Sequence, residues 1–269
     1  MLVLVGELVF IGLGLHDEFG MSLRGQAEAR SCDHLFAELY TNSMPNLNLT
    51  NLSKVVRSNV TVLSRQEVEE NPESLILSKA RVDKVGFLVP GDPMVATTHV
   101  DLRLRAHRAG IKTRIVHAAS VVSAIAGATG LQHYKFGRTV TIPASANDEI
   151  PQSVYLAIGS NMTMALHSLV LMEVDVEGKR SISIPEALNR FLLHSERKHE
   201  KMITEQTLVV GVARLEAPDM IVKGGTVDTV ARCNFGEPPF VLVFPGQLHF
   251  VEAEALHVFC GAPKELMSK

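Results

Sequence analysis

The feature that most constrains the fold is an apolar run, Val-Gly-Phe-Leu-Val at residues 85–89, which stops at a Pro-Gly-Asp-Pro turn. After the turn, residues 94–99 read Met-Val-Ala-Thr-Thr-His and lead into a helical pattern. A short apolar run bounded by turn signals predicts a strand that is buried on both faces of a parallel sheet. Open α/β sheets bind ligands at the carboxyl ends of such strands. The turn is therefore the first place to expect a binding site, with Asp92 as its acceptor.

Strand-like and helical runs alternate through the first half of the chain, which predicts an α/β domain with a mostly parallel sheet. The predicted strands lie at residues 8–12, 34–40, 60–63, 85–89 and 113–117, and the helices at 22–32, after Ser64, at 98–109 and at 121–128. Ser64 and Glu67 have the spacing of a capping box. Residues 1–6 are expected to extend the first strand.

The pattern restarts after a stretch that contains Gly127, Gly130 and Gly137, which predicts a domain boundary near that point. The predicted domains are residues 1–128 and 129–269. In the second domain, strands are predicted at 139–142, 169–176, 208–215 and 241–244, and helices at 183–198 and 251–259.

Composition excludes several classes of partner. The 269 residues include 26 basic and 29 acidic side chains, a net charge of -3, which leaves no electrostatic footprint for nucleic acid or an anionic membrane. The apolar amino terminus carries Glu7 and no preceding Lys or Arg, so it is interpreted as a strand and not as a signal peptide. Three widely spaced cysteines fit a reducing compartment. We expect a soluble cytoplasmic protein.

The first strand ends in Phe-Ile-Gly-Leu-Gly-Leu at residues 10–15, which is similar to the start of a dinucleotide-binding turn. The third glycine of that motif is replaced by Asp17, a carboxylate where a pyrophosphate would approach. A nicotinamide dehydrogenase is therefore disfavoured. Bare glycine backbone suits a ligand without phosphates, and the alternative is that the glycines only allow a sharp turn.

The histidines give no metal site from their spacing. His194 and His199 lie five residues apart on different faces of the predicted helix, and both are expected at the solvated surface. His99 has three open roles: capping, packing or substrate contact. A hydrolase triad of Ser120, His117 and Asp92 is conceivable, but the chain lacks the G-x-S-x-G turn that presents such a serine.

Several short motifs occur in order along the chain. They are FIGLGL (10–15), PGDPMVATTH (90–99), HAASV (117–121), YKFG (134–137), LVVGVAR (208–214) and GEPP (236–239). A single one of them would be weak evidence. As an ordered set they resemble the diphthine synthase family of the tetrapyrrole-methylase superfamily, over nearly the whole chain from about Leu8.

The resemblance implies a methyltransferase that uses S-adenosylmethionine and releases S-adenosylhomocysteine. Its acceptor is the amino group of a 3-amino-3-carboxypropyl-histidine in translation elongation factor 2, which archaeal members trimethylate to diphthine on the way to diphthamide. The implied fold has two α/β domains, with a mostly parallel sheet in the first, a mixed sheet in the second and the cofactor in the cleft between them. The family is typically homodimeric.

The resemblance also carries cofactor contacts onto this sequence. They fall on Leu15, Asp92, Val95, Ser120 and Val121 in the first half, and on Met172, Leu215 and Phe240 in the second. Phe240 stands where the family usually has a histidine, which removes any side-chain hydrogen bond at that point. Met172 replaces a leucine and keeps an apolar wall. No catalytic residue and no metal ligand is assigned, and Asp92 or water is the candidate for any base.

S-adenosylmethionine carries a sulfonium cation and no phosphate, so it needs no complete glycine motif, and the two lines of inference agree. Two other functions stay open from the sequence. One is a precorrin-type methylase of the same superfamily. The other is a noncatalytic module that binds the cofactor or a translation factor without turnover, which the departure at Phe240 keeps in view.

Overall fold

The computed structural model of the chain describes residues 6–42, 44–144, 149–175, 180–199 and 201–266. The chain divides into two compact units, Met1–Val121 and Val122–Lys269. The boundary expected between residues 128 and 129 stays a prediction. The expected strand extension over residues 1–5 lies outside the described residues, and Gly6 just precedes the first strand.

The first unit contains a five-stranded sheet in which all strands pair in parallel. Its strands are β1 (Glu7–Gly12), β2 (His34–Glu38), β3 (Val60–Leu63), β4 (Lys84–Val89) and β5 (Lys112–Val116). Their order across the sheet is β3-β2-β4-β1-β5. In β1, Leu8 and Phe10 pack into one apolar cluster and Val9 and Ile11 into another. The central strands are thus covered on both faces, as their apolar sequences predict.

Helices follow these strands along the chain, and the last of them continues into the second unit from Val122. They are α1 (Leu23–Arg30), α2 (Leu49–Val56), α3 (Ser78–Ala80), α4 (His99–Arg108) and α5 (Val121–Thr129), with π-helical turns at Gln66–Glu70 and Glu73–Leu77 and a 3-10 turn at Glu18–Gly20. The predicted capping box forms, because the Ser64 amide donates to the Glu67 carboxylate at 2.8 Å and the Glu67 amide donates to Ser64 Oγ at 3.4 Å. Sequence patterns did not predict α2.

The second unit has the mixed sheet that the family resemblance implied. Its strands are β6 (Val140–Ile142), β7 (Ser168–Met172), β10 (Leu208–Ala213), β11 (Ile221–Thr226) and β12 (Phe240–Phe244), and β8 (Val174–Asp175) and β9 (Arg180–Ser181) form a separate ribbon. The order is β11-β10-β12-β7-β6, and only β6 and β7 pair in parallel in this sheet as described.

Helices and turns complete the second unit. They are α6 (Gln152–Thr163), α7 (Ile184–Lys198), α8 (Val227–Ala231) and α9 (Phe250–Cys260), with 3-10 turns at His133–Lys135 and Lys264–Leu266. Ser183 caps α7 and Gly261 ends α9 in the left-handed conformation. In none of the described residues is there a helix that is both long and apolar enough to cross a membrane.

Two predicted strands of the second unit have different bounds in the structure, and two of its elements were not predicted. The strand predicted at 169–176 breaks after Met172 and resumes at Val174, and residue 176 lies outside the described part of the chain. The strand predicted at 208–215 ends at Ala213 because Arg214 adopts a φ of +51°. The sequence also gave no indication of α6 or of β11, whose Gly224 and Gly225 weaken a strand pattern.

The expected surface position of His194 was wrong as well. His194 is buried on the inner face of α7, where its ring packs against Tyr155 with centroids 4.5 Å apart. His199 is exposed, as expected. It follows Lys198 directly and ends the helix with a φ of +53°. An apolar helix face can thus bury a histidine that composition alone would place in water.

Candidate active site

Five of the predicted contacts lie at one edge of the first sheet. Strands β4, β1 and β5 are adjacent and parallel, so their carboxyl ends meet at the same edge. The segments that follow these strands carry the predicted residues, which are Leu15, Asp92, Val95, Ser120 and Val121. We call this the first edge.

Glycine backbone joins the segments at the first edge. The amide of Gly91 donates to the carbonyl of Gly14 at 2.7 Å, the amide of Gly14 donates back at 3.2 Å, and both residues have positive φ. A Cβ on Gly14 would lie 2.4 Å from the carbonyl oxygen of Gly20, and one on Gly12 would lie 2.6 Å from Ala118 Cβ. The two-glycine turn after β1 is therefore needed for close packing of three chain segments.

Asp17, at the position of the missing third glycine, has a local role. Its carboxylate accepts a hydrogen bond from the Phe19 amide at 2.9 Å and caps the 3-10 turn Glu18–Gly20. The Phe19 amide thus serves the protein's own carboxylate, where a dinucleotide-binding protein would offer such an amide to a pyrophosphate. The geometry agrees with the sequence argument against a dinucleotide.

Asp92 is the buried acceptor of the first edge. Its Oδ1 accepts from the Met94 amide at 3.0 Å, and its Oδ2 lies 2.7 Å from His117 Nδ1 and 3.4 Å from the Ala118 amide. An ionised carboxylate only accepts hydrogen bonds, so Nδ1 of His117 carries the proton in this contact. Asp92 thereby ties the segment after β4 to the segment after β5, across the end of β1.

His117 was not among the predicted cofactor contacts, although the sequence placed it at this edge. Its side chain is 70% exposed, in contrast to the 6% of Asp92. The aspartate-histidine half of the conceived hydrolase triad is thus present. The signal in the sequence was that both residues directly follow strands of one parallel sheet.

The carbonyl of Pro93 holds the turn in place. It accepts a hydrogen bond from Thr97 Oγ1 at 2.9 Å and one from His99 Nδ1 at 3.2 Å. In the same turn, the Val95 amide donates to the Asp92 carbonyl at 3.2 Å. The threonine-rich start of α4 therefore supports the loop that carries Asp92 and Val95.

Of the three roles left open for His99, the structure shows packing. The side chain is fully buried, its ring meets Phe87 edge to face with centroids 5.2 Å apart, and its Nε2 lies 3.6 Å from Glu38 Oε1. Burial lowers the pKa of His99 and raises the pKa of the Glu38 carboxyl. His99 positions Pro93 from within the core.

The other three predicted contacts lie at one edge of the second sheet, which we call the second edge. Strands β7 and β10 end there and β12 begins there, because β12 runs antiparallel to both. Phe240 pairs with Ala213, two residues before Leu215, and Met172 pairs with Ile142 of β6. All three predicted side chains are buried, so this edge is apolar.

Arg214 fixes the loop that leads to Phe240, and sequence reasoning did not assign it a role. Its guanidinium donates to the carbonyl of Phe235 at 2.8 Å and to that of Glu237 at 2.5 Å, and it binds the Asp219 carboxylate at 2.6 Å. The Arg214 amide also donates to the Pro239 carbonyl at 2.8 Å. The motifs LVVGVAR and GEPP are therefore one structural assembly.

The YKFG motif belongs to a different cluster, at the start of β7 and so at the opposite end of the strand from Met172. Lys135 donates to the buried carboxylate of Glu252, which also accepts from His167 Nε2 at 2.9 Å and from the amides of Gln132 and His249. Burial alone would raise the pKa of Glu252, but these hydrogen bonds outweigh it and lower the pKa to about 2. The motif stabilises the fold.

None of the described ranges contains three His, Cys, Asp or Glu side chains placed together as a metal site. The two edges instead offer one buried carboxylate with glycine backbone in the first unit, and an apolar wall in the second.

Comparison with known proteins defines the class. Residues 7–227 match the family of tetrapyrrole (corrin/porphyrin) methylases. Diphthine synthase of Methanosarcina mazei is 41% identical over 97% of this chain and 98% of its own length. Diphthine synthase of Methanothermobacter thermautotrophicus is 38% identical with the same coverage. A crystal structure of diphthine synthase, 32% identical, has a TM-score of 0.86 and covers 97% of this chain and 98% of its own.

The chain is a methyltransferase of the tetrapyrrole methylase family. Within that family it belongs with the diphthine synthases. The nicotinamide dehydrogenase interpretation falls with this assignment, and the precorrin-type alternative is disfavoured.

Proposed function

We propose that this protein transfers methyl groups from S-adenosylmethionine to the amino group of the 3-amino-3-carboxypropyl-histidine of translation elongation factor 2. The product is diphthine, trimethylated as in archaeal members of the family. The observation that carries the proposal is the match to the diphthine synthase of Methanosarcina mazei over nearly the full length of both chains.

The residues at the two edges fit S-adenosylmethionine as the donor. A sulfonium cation and an amino acid moiety call for acceptors and backbone contacts, which Asp92 and the paired glycines of the first edge supply. The adenine ring calls for an apolar wall, which Met172, Leu215 and Phe240 supply. The proposed cofactor contacts are these residues together with Leu15, Val95, Ser120 and Val121.

The chemistry is an in-line displacement at carbon, and the bound cofactor supplies an electrophilic methyl group. The protein's own contribution is to hold the acceptor amine in line with that group and to keep it there between transfers. Rigid placement is what the structure provides at the first edge, since Asp92 accepts hydrogen bonds from two chain segments and Pro93 from two more side chains.

Phe240 is the main departure from the family pattern. Its side chain is buried in the same apolar cluster as Met172, so it contributes shape and apolar area in place of the hydrogen bond of a histidine. We infer that cofactor recognition at the second edge is by packing. The noncatalytic alternative predicts that the protein binds S-adenosylmethionine but never turns it over.

We further propose that the protein is a cytoplasmic homodimer. The family resemblance implies the dimer. The reducing compartment is supported by Cys32, Cys233 and Cys260, all free thiols. Light scattering of the purified protein tests the dimer, and a monomeric mass at working concentration would contradict it.

Intact-mass measurement of elongation factor 2 tests the proposed function. The factor, isolated with the 3-amino-3-carboxypropyl-histidine but without methyl groups, is incubated with the protein and S-adenosylmethionine. We expect mass increases of successive methyl groups, up to three. A factor whose target histidine is unmodified serves as the control and should gain nothing. Methylation of a corrinoid precursor, with no gain on the factor, would support the precorrin-type alternative instead.

A further inference from the structure

Repeated methylation of an amine requires a route for protons. An ammonium nitrogen has no free electron pair, so it must lose a proton before its lone pair can form the new bond to the methyl carbon. As that bond forms, the carbon–sulfur bond breaks and its electron pair returns to sulfur. The methylated nitrogen is again an ammonium, and it must lose another proton before the next transfer. A base is therefore useful in every round.

His117 has the geometry of such a base. Its Nδ1 donates to Asp92 Oδ2 at 2.7 Å, which places the proton of a neutral ring on Nδ1 and the lone pair on Nε2. Nε2 makes no hydrogen bond within the part of the chain that the structure describes. The imidazole is 70% exposed, so Nε2 is accessible both to a substrate and to water.

Asp92 is better suited to orient this imidazole than to take the proton itself. Its carboxylate is 6% exposed and already accepts from the Met94 and Ala118 amides as well as from His117. These three donors occupy both of its oxygens and hold the carboxylate in one orientation toward the ring. The arrangement matches the general pattern in which a buried acid fixes the tautomer of a catalytic histidine.

Other histidine–carboxylate contacts lack this combination. His34 meets Asp83 at 3.0 Å, but β2 starts at His34 and Asp83 precedes β4, so the pair lies at the amino ends of the parallel strands. His99, beside Glu38, is fully buried. His16, in the segment after β1, lies 3.6 Å from Asp17 at the carboxyl edge, but its side chain is only 21% exposed. Among the residues that the structure describes, the contact of His117 therefore combines the shorter distance with the more exposed ring at this edge.

We propose that His117 is the general base that takes the proton from the acceptor amine before each methyl transfer, and that Asp92 is its positioning residue. The proposal rests on the proposed methylation of an amine. The exposed ring then releases the proton to solvent, which resets the base for the next round. Within the described residues, Asp92 is the charged side chain in contact with His117, and Gly12, the last residue of β1, lies beside Ala118.

Single-turnover kinetics of two His117 variants test the proposal. His117→Gln and His117→Ala are compared with wild type, using the immature elongation factor and S-adenosylmethionine, with His107→Gln as the matched control. His107 is exposed on α4 and lies outside the proposed site. Binding of S-adenosylhomocysteine, followed by calorimetry, and the melting temperature show whether each variant is folded and binds the cofactor product.

We expect both His117 variants to bind S-adenosylhomocysteine within about threefold of wild type and to slow each methyl transfer by about 100-fold or more. The control should methylate at the wild-type rate. Rates within about threefold of wild type for both His117 variants would overturn the proposal. A wild-type protein that methylates nothing would instead overturn the proposed function, so the two failures are distinguishable.

Two further readouts separate a base from a structural residue. The rate deficit of His117→Gln should shrink as pH rises, because the amine then loses its proton without help. Asp92→Asn should slow transfer as well, since an amide facing Nδ1 favours the tautomer with the proton on Nε2, and the double variant Asp92→Asn/His117→Gln should be no slower than the slower single variant. A deficit that is independent of pH, or fully additive effects of the two substitutions, would contradict the assignment.

Discussion

Two contacts in this protein each join a carboxylate to a histidine ring, but one ring is exposed to solvent and the other is buried. Asp92 meets His117 at 2.7 Å at the first edge, and Glu252 meets His167 at 2.9 Å in the second unit. The His117 ring is 70% exposed, whereas the His167 ring is fully buried. In His167 the second ring nitrogen accepts from the Gly246 amide at 2.9 Å, so both nitrogens are used.

The difference shows how burial decides what a histidine pair does. At His167 every polar atom of the ring is satisfied inside the protein, and burial lowers the pKa of the ring, so the neutral form is a fixed part of the structure. At His117 one nitrogen faces water and can exchange a proton. The Glu252–His167 pair is therefore expected to control stability, and the Asp92–His117 pair is expected to control activity.

The largest expected effect is on stability, from Glu252→Gln. The Glu252 carboxylate accepts hydrogen bonds from several groups, including Lys135 and His167. The substitution removes the negative charge and turns an NH2 group toward these donors, so it should destabilise the protein by about 3–5 kcal/mol. Urea unfolding measures the change. Glu254→Gln, an exposed position on the same helix, is the control and should change stability by less than about 0.5 kcal/mol. Equal midpoints for the two variants would contradict the structural role of the cluster.

Acid should remove the stabilisation that Glu252 gives. Its pKa of about 2 in the fold lies below the ordinary 4.5, so the contribution is fully present above about pH 4.5 and is lost as pH falls towards 2. The size of the loss is about 3 kcal/mol. Unfolding free energies of wild type should therefore fall faster with acidification over this window than those of Glu252→Gln. Parallel curves would show that Glu252 is not held ionised in the fold.

Cofactor binding should respond to the first edge. Asp92→Ala removes a buried acceptor and should weaken binding of S-adenosylmethionine by about 1–3 kcal/mol in calorimetry. Asp101→Ala, which removes only a surface pair with Arg105 on α4, should leave the dissociation constant unchanged. An unchanged constant for Asp92→Ala would mean that Asp92 acts only on His117 and the turn.

The packing of glycine backbone at the first edge gives the smallest effects. Gly12→Ala brings a Cβ to within 2.6 Å of both Ala118 Cβ and the Gly91 carbonyl oxygen, and should destabilise the protein by about 1–3 kcal/mol. Gly127→Ala, in α5 with nothing within 4 Å of the new Cβ, should stabilise it by about 0.5–1 kcal/mol. Thermal unfolding should show a lower melting temperature for Gly12→Ala and a higher one for Gly127→Ala. The same sign for both would contradict the close approach.

The first edge could be predicted from the sequence because its parts lie directly after apolar strands. Asp92 follows β4 and His117 follows β5, and parallel strands bring such positions together by rule. What the sequence did not specify was the contact between them, since it depends on the close approach that Gly12 and Gly14 allow. Side-chain pairing across an edge depends on distances that a pattern of strands does not contain.

The second edge could be predicted only through the family resemblance. Met172, Leu215 and Phe240 are far apart in sequence and meet through antiparallel pairing of β12 with its neighbours. The loop that leads into β12 is held by Arg214, whose guanidinium donates to the carbonyl of Phe235, and no local pattern of the sequence indicated that contact. Local propensity carries little information about such distant pairings.

The most direct measurement of the central claim follows the methyl group itself. S-adenosylmethionine labelled in its methyl group is incubated with the protein and the immature elongation factor, and the factor is then digested and its peptides are sequenced by mass spectrometry. The account predicts label on the amino group of the 3-amino-3-carboxypropyl-histidine and on no other residue. Label that stays on the cofactor, or that reaches a different residue of the factor, would contradict it.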